Sequence, residues 1–279
     1  MANDASPRNE NRINRAMREL GIDNKDAKIA SAMLTILTRN RKAQRQRDYD
    51  PEAATLDHFF AFALPRVKHA QGQLMQDLWV QYELGEIRDG YFVEFGATNG
   101  ITMSNSHILE TQYGWRGIVA EPNPEYHERL ARERGCAISH KCVYSRSGET
   151  LNFLMTEKAM FSRLEAIDPQ DHNEDSMRAN ARSVPVETIS LDDLLDEHGA
   201  PAEIDYISVD TEGSELEILS HFDFSKRFVK AFTVEHNFTP LREGIHELLT
   251  RHGYLRRFPE YTRFDDWYIH RDAGRAATP

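Results

Sequence analysis

The 279-residue sequence has only two cysteines, Cys136 and Cys142, with no second pair. They therefore form neither a disulfide framework nor a zinc-binding motif. No apolar run approaches the roughly 20 residues that a membrane span needs. The first residues, MANDASPRNENR, lack the apolar core of a secretory signal. These absences predict a cytoplasmic protein with no membrane span.

Positive charge is outnumbered by negative charge. The chain has 34 Lys and Arg against 45 Asp and Glu, for a net charge of −11. The basic residues concentrate near the start, where RNRKAQRQR (39–47) is the single basic cluster. Nucleic-acid binding depends on a dense array of Lys and Arg. The acidic body therefore argues against nucleic acid as a partner.

Hydrophobic residues make up 40% of the chain, which is enough for a substantial core. From residue 91 onward, short apolar segments alternate with amphipathic helical segments, a pattern typical of βαβ units and a mostly parallel sheet. Before it, the apolar spacing is helical, for example at Ile29, Met33 and Leu37. The sequence thus predicts an N-terminal helical extension at 1–88 and an α/β domain at 89–279. The helical extension is also the candidate surface for homo-oligomer formation.

The segment 157–183 interrupts this alternation. It is polar, charged and poor in periodicity, as EKAMFSRLEAIDPQDHNEDSMRANAR shows. A stretch of this length within a compact domain is usually functional or disordered. We interpret it as a lid over the ligand.

The first apolar strand ends in an unusual turn, YFVEFGATNG (91–100). Glycines at Gly96 and Gly100 allow a sharp turn and the close approach of a ligand. The spacing is G-x-x-x-G, with Thr98 where the dinucleotide fingerprint has a glycine. A carboxylate at Glu94 suits a cationic group, such as an amino group or a sulfonium.

The next two strand ends complete a nucleoside site. Glu121 ends the second strand, where an acid can accept hydrogen bonds from ribose hydroxyls. Ser145 follows the third strand and is a candidate partner for an adenine edge. The order of strand, glycine turn, helix, strand and acid predicts an adenosine-type ligand. Within that class, the glycine spacing and Glu94 favour S-adenosylmethionine over NAD.

Three segments resemble the FkbM family of S-adenosylmethionine-dependent methyltransferases: FVEFGATNGITMSNSHILETQYGWRGIVAEPNP, IDYISVDTEGSELEIL and FTVEHN. The resemblance covers roughly residues 71–270. It implies an α/β class I methyltransferase (Rossmann-like) fold, with a seven-stranded, mostly parallel sheet, helices on both faces and a reversed last hairpin. Family members usually methylate hydroxyls of natural products or sugars, so the resemblance implies a small-molecule or carbohydrate acceptor.

The resemblance also assigns residues to the cofactor. It places the first loop around the methionine part, Glu121 on the ribose, and Gln76 at the outside of the site. The complete set of candidate cofactor residues is Glu94, Gly96, Thr98, Asn99, Gly100, Asn105, Glu121, Asn123 and Ser145.

The fourth and fifth strands bring further polar groups to the same edge of the sheet, namely Asp210, Glu212, Glu235, His236 and Asn237. Methyl transfer to a hydroxyl requires removal of its proton. The candidate catalytic residues are Asp210, Glu235 and His236. Two routes stay open: His236 as general base, or Mg²⁺ bound by Asp210 and Glu235.

Two other functions remain as alternatives. An NAD-linked oxidoreductase or epimerase would need the glycine that Thr98 replaces. A non-catalytic nucleotide-binding module would account for the unexplained helical front end. Binding of S-adenosylhomocysteine, of NAD, or of neither separates the three hypotheses.

Overall fold

The structure is a computed structural model that describes Met33 and residues 51–156, 162–167 and 181–274. The basic cluster and most of the predicted lid lie outside the described residues. The chain divides into two compact units, Met1–Ala70 and Gln71–Pro279. This division falls earlier than the predicted boundary at residue 88, which stays a prediction.

In the first unit, the structure describes helix α1 (Pro51–Ala63) and a 3₁₀ turn at Val67–His69. Proline is favoured at the first position of a helix, where its missing N–H has no partner to lose. The helix buries Phe59 and Phe60 completely.

The second unit alternates strands and helices, as predicted. Its helices are α2 (Gln76–Glu83), α3 (His107–Tyr113), α4 (Pro124–Glu133), α5 (Leu191–Glu197), α6 (Glu215–Ser220) and α7 (Leu241–Arg251). Its strands are β1 (Tyr91–Phe95), β2 (Arg116–Ala120), β3 (Ala137–Ser139), β4 (Cys142–Tyr144), β5 (Thr150–Met155), β6 (Arg163–Leu164), β7 (Arg182–Ser190), β8 (Glu203–Val209), β9 (Phe228–Glu235), β10 (Tyr254–Arg257) and β11 (Asp265–His270).

The main sheet has seven strands in the order β10-β11-β9-β8-β1-β2-β3. The five strands β3, β2, β1, β8 and β9 are parallel, whereas β11 and β10 add an antiparallel hairpin. The predicted seven-stranded, mostly parallel sheet with its reversed last hairpin is thus confirmed. The strand order reverses between β1 and β8, and in open α/β sheets ligands bind at such a switch point.

Helices cover both faces of this sheet. Successive side chains of a strand point to opposite faces, so neighbouring residues contact helices on different sides. On one face, Tyr268 belongs to the main hydrophobic core together with residues of α5, α6 and α7. On the other, its neighbour Trp267 lies 5.1 Å from Trp79 of α2, measured between ring centroids. Strands buried on both faces explain why YFVEF and EIDYISV are nearly continuous apolar runs.

A second, four-stranded sheet has the order β4-β7-β5-β6. The third predicted strand, which Ser145 follows, divides into β3 in the main sheet and β4 in this second sheet. Two strands fall within the range of the predicted lid, since β6 (Arg163–Leu164) pairs with β5 and β7 begins at Arg182. The lid itself stays a prediction. Within the described ranges, no helix is both long and apolar enough to span a membrane.

Candidate active site

A cavity of about 270 Å³ opens at the carboxyl ends of the parallel strands. Its lining includes the loop after β1, the end of β2, the ends of β8 and β9, and the start of β11. The second sheet contributes Cys142, Val143, Phe153 and Leu164. Six predicted site residues line it, namely Gly96, Thr98, Asn105, Glu121, Asp210 and Glu235. Gln76, placed by the resemblance at the outside of the site, also lines the cavity.

Gly96 begins the loop after β1 and touches the end of β8. Its φ is +80°, and a Cβ at this position would lie 2.0 Å from the carbonyl oxygen of Asp210. Only glycine tolerates both the positive φ and this approach. The turn therefore brings the cofactor loop against the strand that carries Asp210.

Several non-glycine residues on the cavity wall also have left-handed backbone conformations. Thr98 has φ +44°, Met103 +61°, Glu212 +58° and Asn237 +44°. Residues in this region cost free energy and cluster at ligand sites. The cavity wall is thus held in conformations that the surrounding packing must maintain.

Glu121, at the end of β2, is 4% exposed. Its carboxylate accepts hydrogen bonds from the backbone N–H of Thr98 at 2.7 Å and of Asn123 at 2.8 Å. Burial raises the pKa of Glu121 to about 7, and the two N–H donors oppose that rise. The contact with Thr98 fixes the loop after β1 to the tip of β2.

Asn105 is 7% exposed and belongs to a buried polar chain. Its Nδ2 donates to Ser208 Oγ of β8 at 3.0 Å, and Ser208 in turn accepts from Thr233 of β9 at 3.4 Å. No described residue donates a hydrogen bond to Asn105 Oδ1. Buried acceptors are normally hydrogen-bonded, so Asn105 Oδ1 is suited to accept a hydrogen bond from a ligand.

Glu94 does not line the cavity. It is 4% exposed and accepts hydrogen bonds from Asn105 N at 2.6 Å and from Ser104 Oγ at 2.8 Å. It also pairs with Arg134 Nη1 at 3.4 Å. Its predicted contact with a cationic ligand stays a prediction, while its observed partners hold the loop that follows.

Arg134 is a buried guanidinium that the sequence did not single out. Its side chain has no exposed surface, and it binds Glu110 Oε2 at 2.5 Å, Ser106 Oγ at 2.8 Å and Gly100 O at 3.2 Å in addition to Glu94. In the sequence it follows Arg132 and Glu133 at a helix end, where surface charge is the common case. The structure shows it instead as the residue that joins the cofactor loop to α4.

Five predicted cofactor residues do not line the cavity, namely Glu94, Asn99, Gly100, Asn123 and Ser145. Asn99 Oδ1 accepts from the backbone N–H of Ile101 and Thr102. Asn123 caps α4 by accepting from Glu125 N at 3.0 Å. The direct contacts of these five residues with a cofactor stay predictions.

Four carboxylates form the opposite side of the cavity, namely Asp210, Glu212, Glu235 and Asp265. Asp210 and Glu235 are hydrogen-bonded to each other. Burial raises the pKa of Asp210 to about 7, and burial together with the charge of Asp210 raises that of Glu235. Two carboxylates in contact cannot both ionise easily, so they share a proton.

Asp265 is a site residue that the sequence analysis missed. It opens β11 and pairs in register with Glu235, because β11 runs antiparallel to β9. Its carboxylate accepts a hydrogen bond from Gln76, and burial raises its pKa to about 8. The signal was its place at the start of β11, the second strand of the hairpin. Because β11 runs antiparallel to β9, its first residue lies at the same edge as the ends of the parallel strands.

His236 is buried away from the cavity lining. Its Nδ1 accepts from Phe238 N at 3.0 Å, and its Nε2 lies 3.8 Å from Asp266 Oδ1. Burial lowers its pKa. The predicted role of His236 as general base stays a prediction. Phe238 N occupies Nδ1, whereas Nε2 has no hydrogen-bond partner among the described residues.

Residues 94–257 match the Methyltransferase FkbM domain. The chain belongs to the FkbM methyltransferase family. The match runs from the middle of β1 to the end of β10, so it contains the cofactor loop, Glu121, Asp210 and Glu235. The resemblance inferred from the motifs is confirmed, and the family implies the use of S-adenosylmethionine.

Several solved structures are similar to this FkbM domain chain. A precorrin-6y C5,15-methyltransferase from Geobacter metallireducens GS-15 has 15% identity and a TM-score of 0.36, covering 69% of this chain and 85% of its own. A putative RNA methyltransferase from Pyrococcus horikoshii has 12% identity and a TM-score of 0.30, covering 71% and 82%. The E81Q mutant of MtNAS has 12% identity and a TM-score of 0.33, covering 92% and 81%. No curated protein matches the sequence.

Proposed function

We propose that this FkbM methyltransferase transfers a methyl group from S-adenosylmethionine to a hydroxyl of a small molecule or sugar. The supporting observation is that one cavity joins the tips of β1 and β2 to the carboxylates at β8, β9 and β11. A nucleoside bound at the ends of β1 and β2 and an acceptor bound at the carboxylates of β8, β9 and β11 would therefore meet inside the same cavity.

The residues at the first two tips fit the cofactor. Gly96 leaves room for a ligand against the backbone, and Glu121 offers a buried carboxylate to ribose hydroxyls. Asn105 Oδ1, which lacks a donor among the described residues, suits the ammonium of the methionine part. When bound, S-adenosylmethionine supplies a methyl group on a positively charged sulfur.

We assign the removal of the acceptor proton to Asp210. An efficient general base has a pKa near the working pH, and the pKa of Asp210 is raised to about 7. Its partner Glu235 holds the carboxylate in place at the cavity wall. Positioning the hydroxyl against this carboxylate supplies several kcal/mol of the rate enhancement.

Mg²⁺ on Asp210 and Glu235 is the second route for activating the hydroxyl. Its support is that Asp210, Glu212 and Glu235 each offer an oxygen within 4.8 Å of the others. Carboxylate oxygens are the ligands that Mg²⁺ prefers. Loss of methyl transfer on adding EDTA, with recovery on adding Mg²⁺, would support this route over the general base alone.

Calorimetric titration with S-adenosylhomocysteine and with NAD tests the cofactor. We expect S-adenosylhomocysteine to bind and NAD not to bind. Preferential binding of NAD would favour an oxidoreductase or epimerase, and binding of neither would favour a non-catalytic module. The cytoplasmic location and homo-oligomer formation are tested separately, by fractionation and by light scattering.

A methylation assay with Asp210→Asn tests the acceptor side. We expect a loss of at least 100-fold in kcat, because general-base catalysis contributes about 10²–10⁴-fold, with unchanged affinity for S-adenosylhomocysteine. Glu217→Gln, on the exposed face of α6, is the matched control. Full activity of Asp210→Asn would contradict the assignment.

A further inference from the structure

Phe238 is an exposed aromatic side chain beside the cavity. Its exposed fraction is 66%, and among the described residues only Leu255, at 50%, is another exposed large hydrophobic side chain. Asn237, which precedes Phe238, lines the cavity, and so does Phe264. Phe264 O accepts hydrogen bonds from His236 N at 2.8 Å and from Asn237 N at 3.1 Å. The turn that carries Phe238 is therefore part of the cavity rim.

The backbone of this turn has a conformation that costs free energy. Asn237 has φ +44° and Phe238 has φ +58°, so two successive non-glycine residues are left-handed. Asparagine enters this region fairly readily, but a bulky aromatic residue rarely does. His236 Nδ1 accepts a hydrogen bond from Phe238 N at 3.0 Å, and the two rings lie 5.7 Å apart in a T-shaped arrangement. Through both contacts His236 fixes the direction of the Phe238 ring.

The strain at Phe238 keeps an apolar ring in water. A lone exposed phenylalanine needs no explanation by itself. Strained backbone conformations, however, persist only where the surroundings enforce them, and they cluster at ligand sites. At position 238 the strain and the exposed ring both cost free energy, with no gain from packing in the interior. A ligand that covers the ring would supply this gain.

The size of the cavity indicates which ligand reaches the rim. Its volume of about 270 Å³ lies below the roughly 300–1,000 Å³ of typical ligand pockets. The proposed function places both the cofactor and the acceptor hydroxyl inside it. The remainder of the acceptor therefore extends past the rim, where Phe238 offers an exposed apolar surface.

We propose that Phe238 is a specificity-determining residue, whose ring binds the apolar face of a ring in the acceptor while the acceptor hydroxyl lies in the cavity. This inference rests on the proposed function, because it names a part of the acceptor for that reaction. A phenyl ring offers contact area without a polar group, so it selects an aryl group or the C–H face of a sugar ring. His236 is a positioning residue for this contact.

The fluorescence of Phe238→Trp in complex with S-adenosylhomocysteine tests the contact. The new indole keeps an aromatic surface at this position, whereas Trp79, Trp115 and Trp267 are buried and give a constant background. Benzyl alcohol is the aryl probe, methyl β-D-glucopyranoside is the sugar probe, and glycerol is a hydroxyl compound without a ring. We expect a saturable blue shift with one of the two ring probes and none with glycerol. The ring probe that produces the shift identifies the kind of ring.

Two further variants locate the effect. Leu255→Trp is the matched control, because it places an exposed indole on β10, and we expect no saturable shift there. Phe238→Ala removes the ring from the otherwise unchanged protein. Its Kd for the same probe, measured by ligand-observed NMR, should rise about three- to tenfold, the size of one ring–ring contact. Its Kd for S-adenosylhomocysteine should stay unchanged.

The role of His236 is tested in the Phe238→Trp background. His236→Asn keeps a side-chain acceptor for the backbone N–H two residues on, whereas His236→Leu removes it. We expect the asparagine variant to bind the ring probe within about twofold of its parent, and the leucine variant at least about threefold more weakly. An unchanged Kd for S-adenosylhomocysteine in both shows that the site is intact. Equal probe binding by the two variants would remove the positioning role.

Other outcomes contradict the contact itself. Shifts that stay linear with both ring probes, or equal saturable shifts in Phe238→Trp and Leu255→Trp, would overturn the proposal. So would emission of Phe238→Trp that moves to the blue as the protein concentration rises without any probe, since a second copy of the chain then covers the ring. Failure of S-adenosylhomocysteine itself to bind is a separate result, which counts against the proposed function.

Discussion

At the scale of single residues, two features restrict position 96 to glycine: its positive φ and its close approach to Asp210. Their costs can be measured separately. Gly96 and Gly148 have nearly equal φ angles of +80° and +79°, but only Gly96 would bring a Cβ into contact, 2.0 Å from Asp210 O. We expect Gly148→Ala to cost about 1 kcal/mol through its backbone conformation. Gly96→Ala should cost at least about 3 kcal/mol more, because the loop and the end of β8 must separate. Urea unfolding of both variants gives the difference, and equal costs would contradict the close approach.

Glu121 offers a second test at this scale. Glu121→Gln replaces one acceptor oxygen by an NH₂ group, which opposes the N–H of Thr98 or of Asn123. We expect the Kd for S-adenosylhomocysteine to rise at least about tenfold, which corresponds to about 1.4 kcal/mol. Glu128→Gln, exposed on α4, is the control. Calorimetric titration measures both, and an unchanged Kd would remove Glu121 from the cofactor site.

The sequence predicted which strand ends carry polar groups more reliably than it predicted what each group contacts. Glu121, Asp210 and Glu235 line the cavity because a residue at a strand tip has little choice of direction. Glu94 sits one position before the end of β1, so its side chain turns into the loop that follows and reaches Arg134. His236 lies just past β9, where the chain has already turned, and its contacts depend on the partner Asp266.

At the scale of elements, Arg134 holds the loop after β1 to α4. Removing it leaves Glu94 as a buried carboxylate without its cation, and breaking such a pair costs about 3–5 kcal/mol. We expect Arg134→Met to lower the free energy of unfolding by that amount. Arg132→Met on the same helix, where the side chain is 67% exposed, should change it by less than about 0.5 kcal/mol.

The double variant Glu94→Gln/Arg134→Met distinguishes charge from packing. If the cost of Arg134→Met comes from the uncompensated carboxylate, the double variant should be more stable than Arg134→Met alone. Thermal or urea unfolding of the three variants measures this. A double variant that is less stable than Arg134→Met would show that the hydrogen bonds to Ser106 and Gly100 dominate instead.

The alternation of apolar and amphipathic segments in the sequence predicted the order of strands and helices. It did not predict that some of the strands form a second sheet. β4 joins β7 rather than continuing β3, although only His140 and Lys141 separate the two strands. A change of sheet depends on which edges are free in three dimensions, and period-two patterning is the same in either sheet. The position of Asp265 at the start of β11 could not be predicted from the sequence pattern either, because it depends on the register between β11 and β9, which pairs Asp265 with Glu235.

At the scale of the whole molecule, buried acids set the pH dependence of stability. Burial raises the pKa values of Asp77 to about 6, of Glu121 and Asp210 to about 7, and of Asp265 to about 8. Unfolded, these groups titrate near pH 4. Between about pH 4 and pH 8 the native state therefore binds more protons than the unfolded state, and its stability falls as the pH rises.

We expect the melting temperature of the ligand-free protein to fall by several degrees between pH 5.5 and pH 8.5. Asp265→Asn removes one of these groups and should flatten the curve, with its largest gain in stability at the alkaline end. Scanning calorimetry at constant ionic strength measures both proteins. A melting temperature that rises across this range would contradict the buried, protonated state of the acids.

The bare backbone of Gly96 against the carbonyl of Asp210 has a practical consequence for redesign. The donor half and the recipient half of the pocket are in direct contact at Gly96. Grafting a foreign loop after β8 to accept new compounds would shift the glycine turn as well, so both segments would need to be exchanged as a matched set.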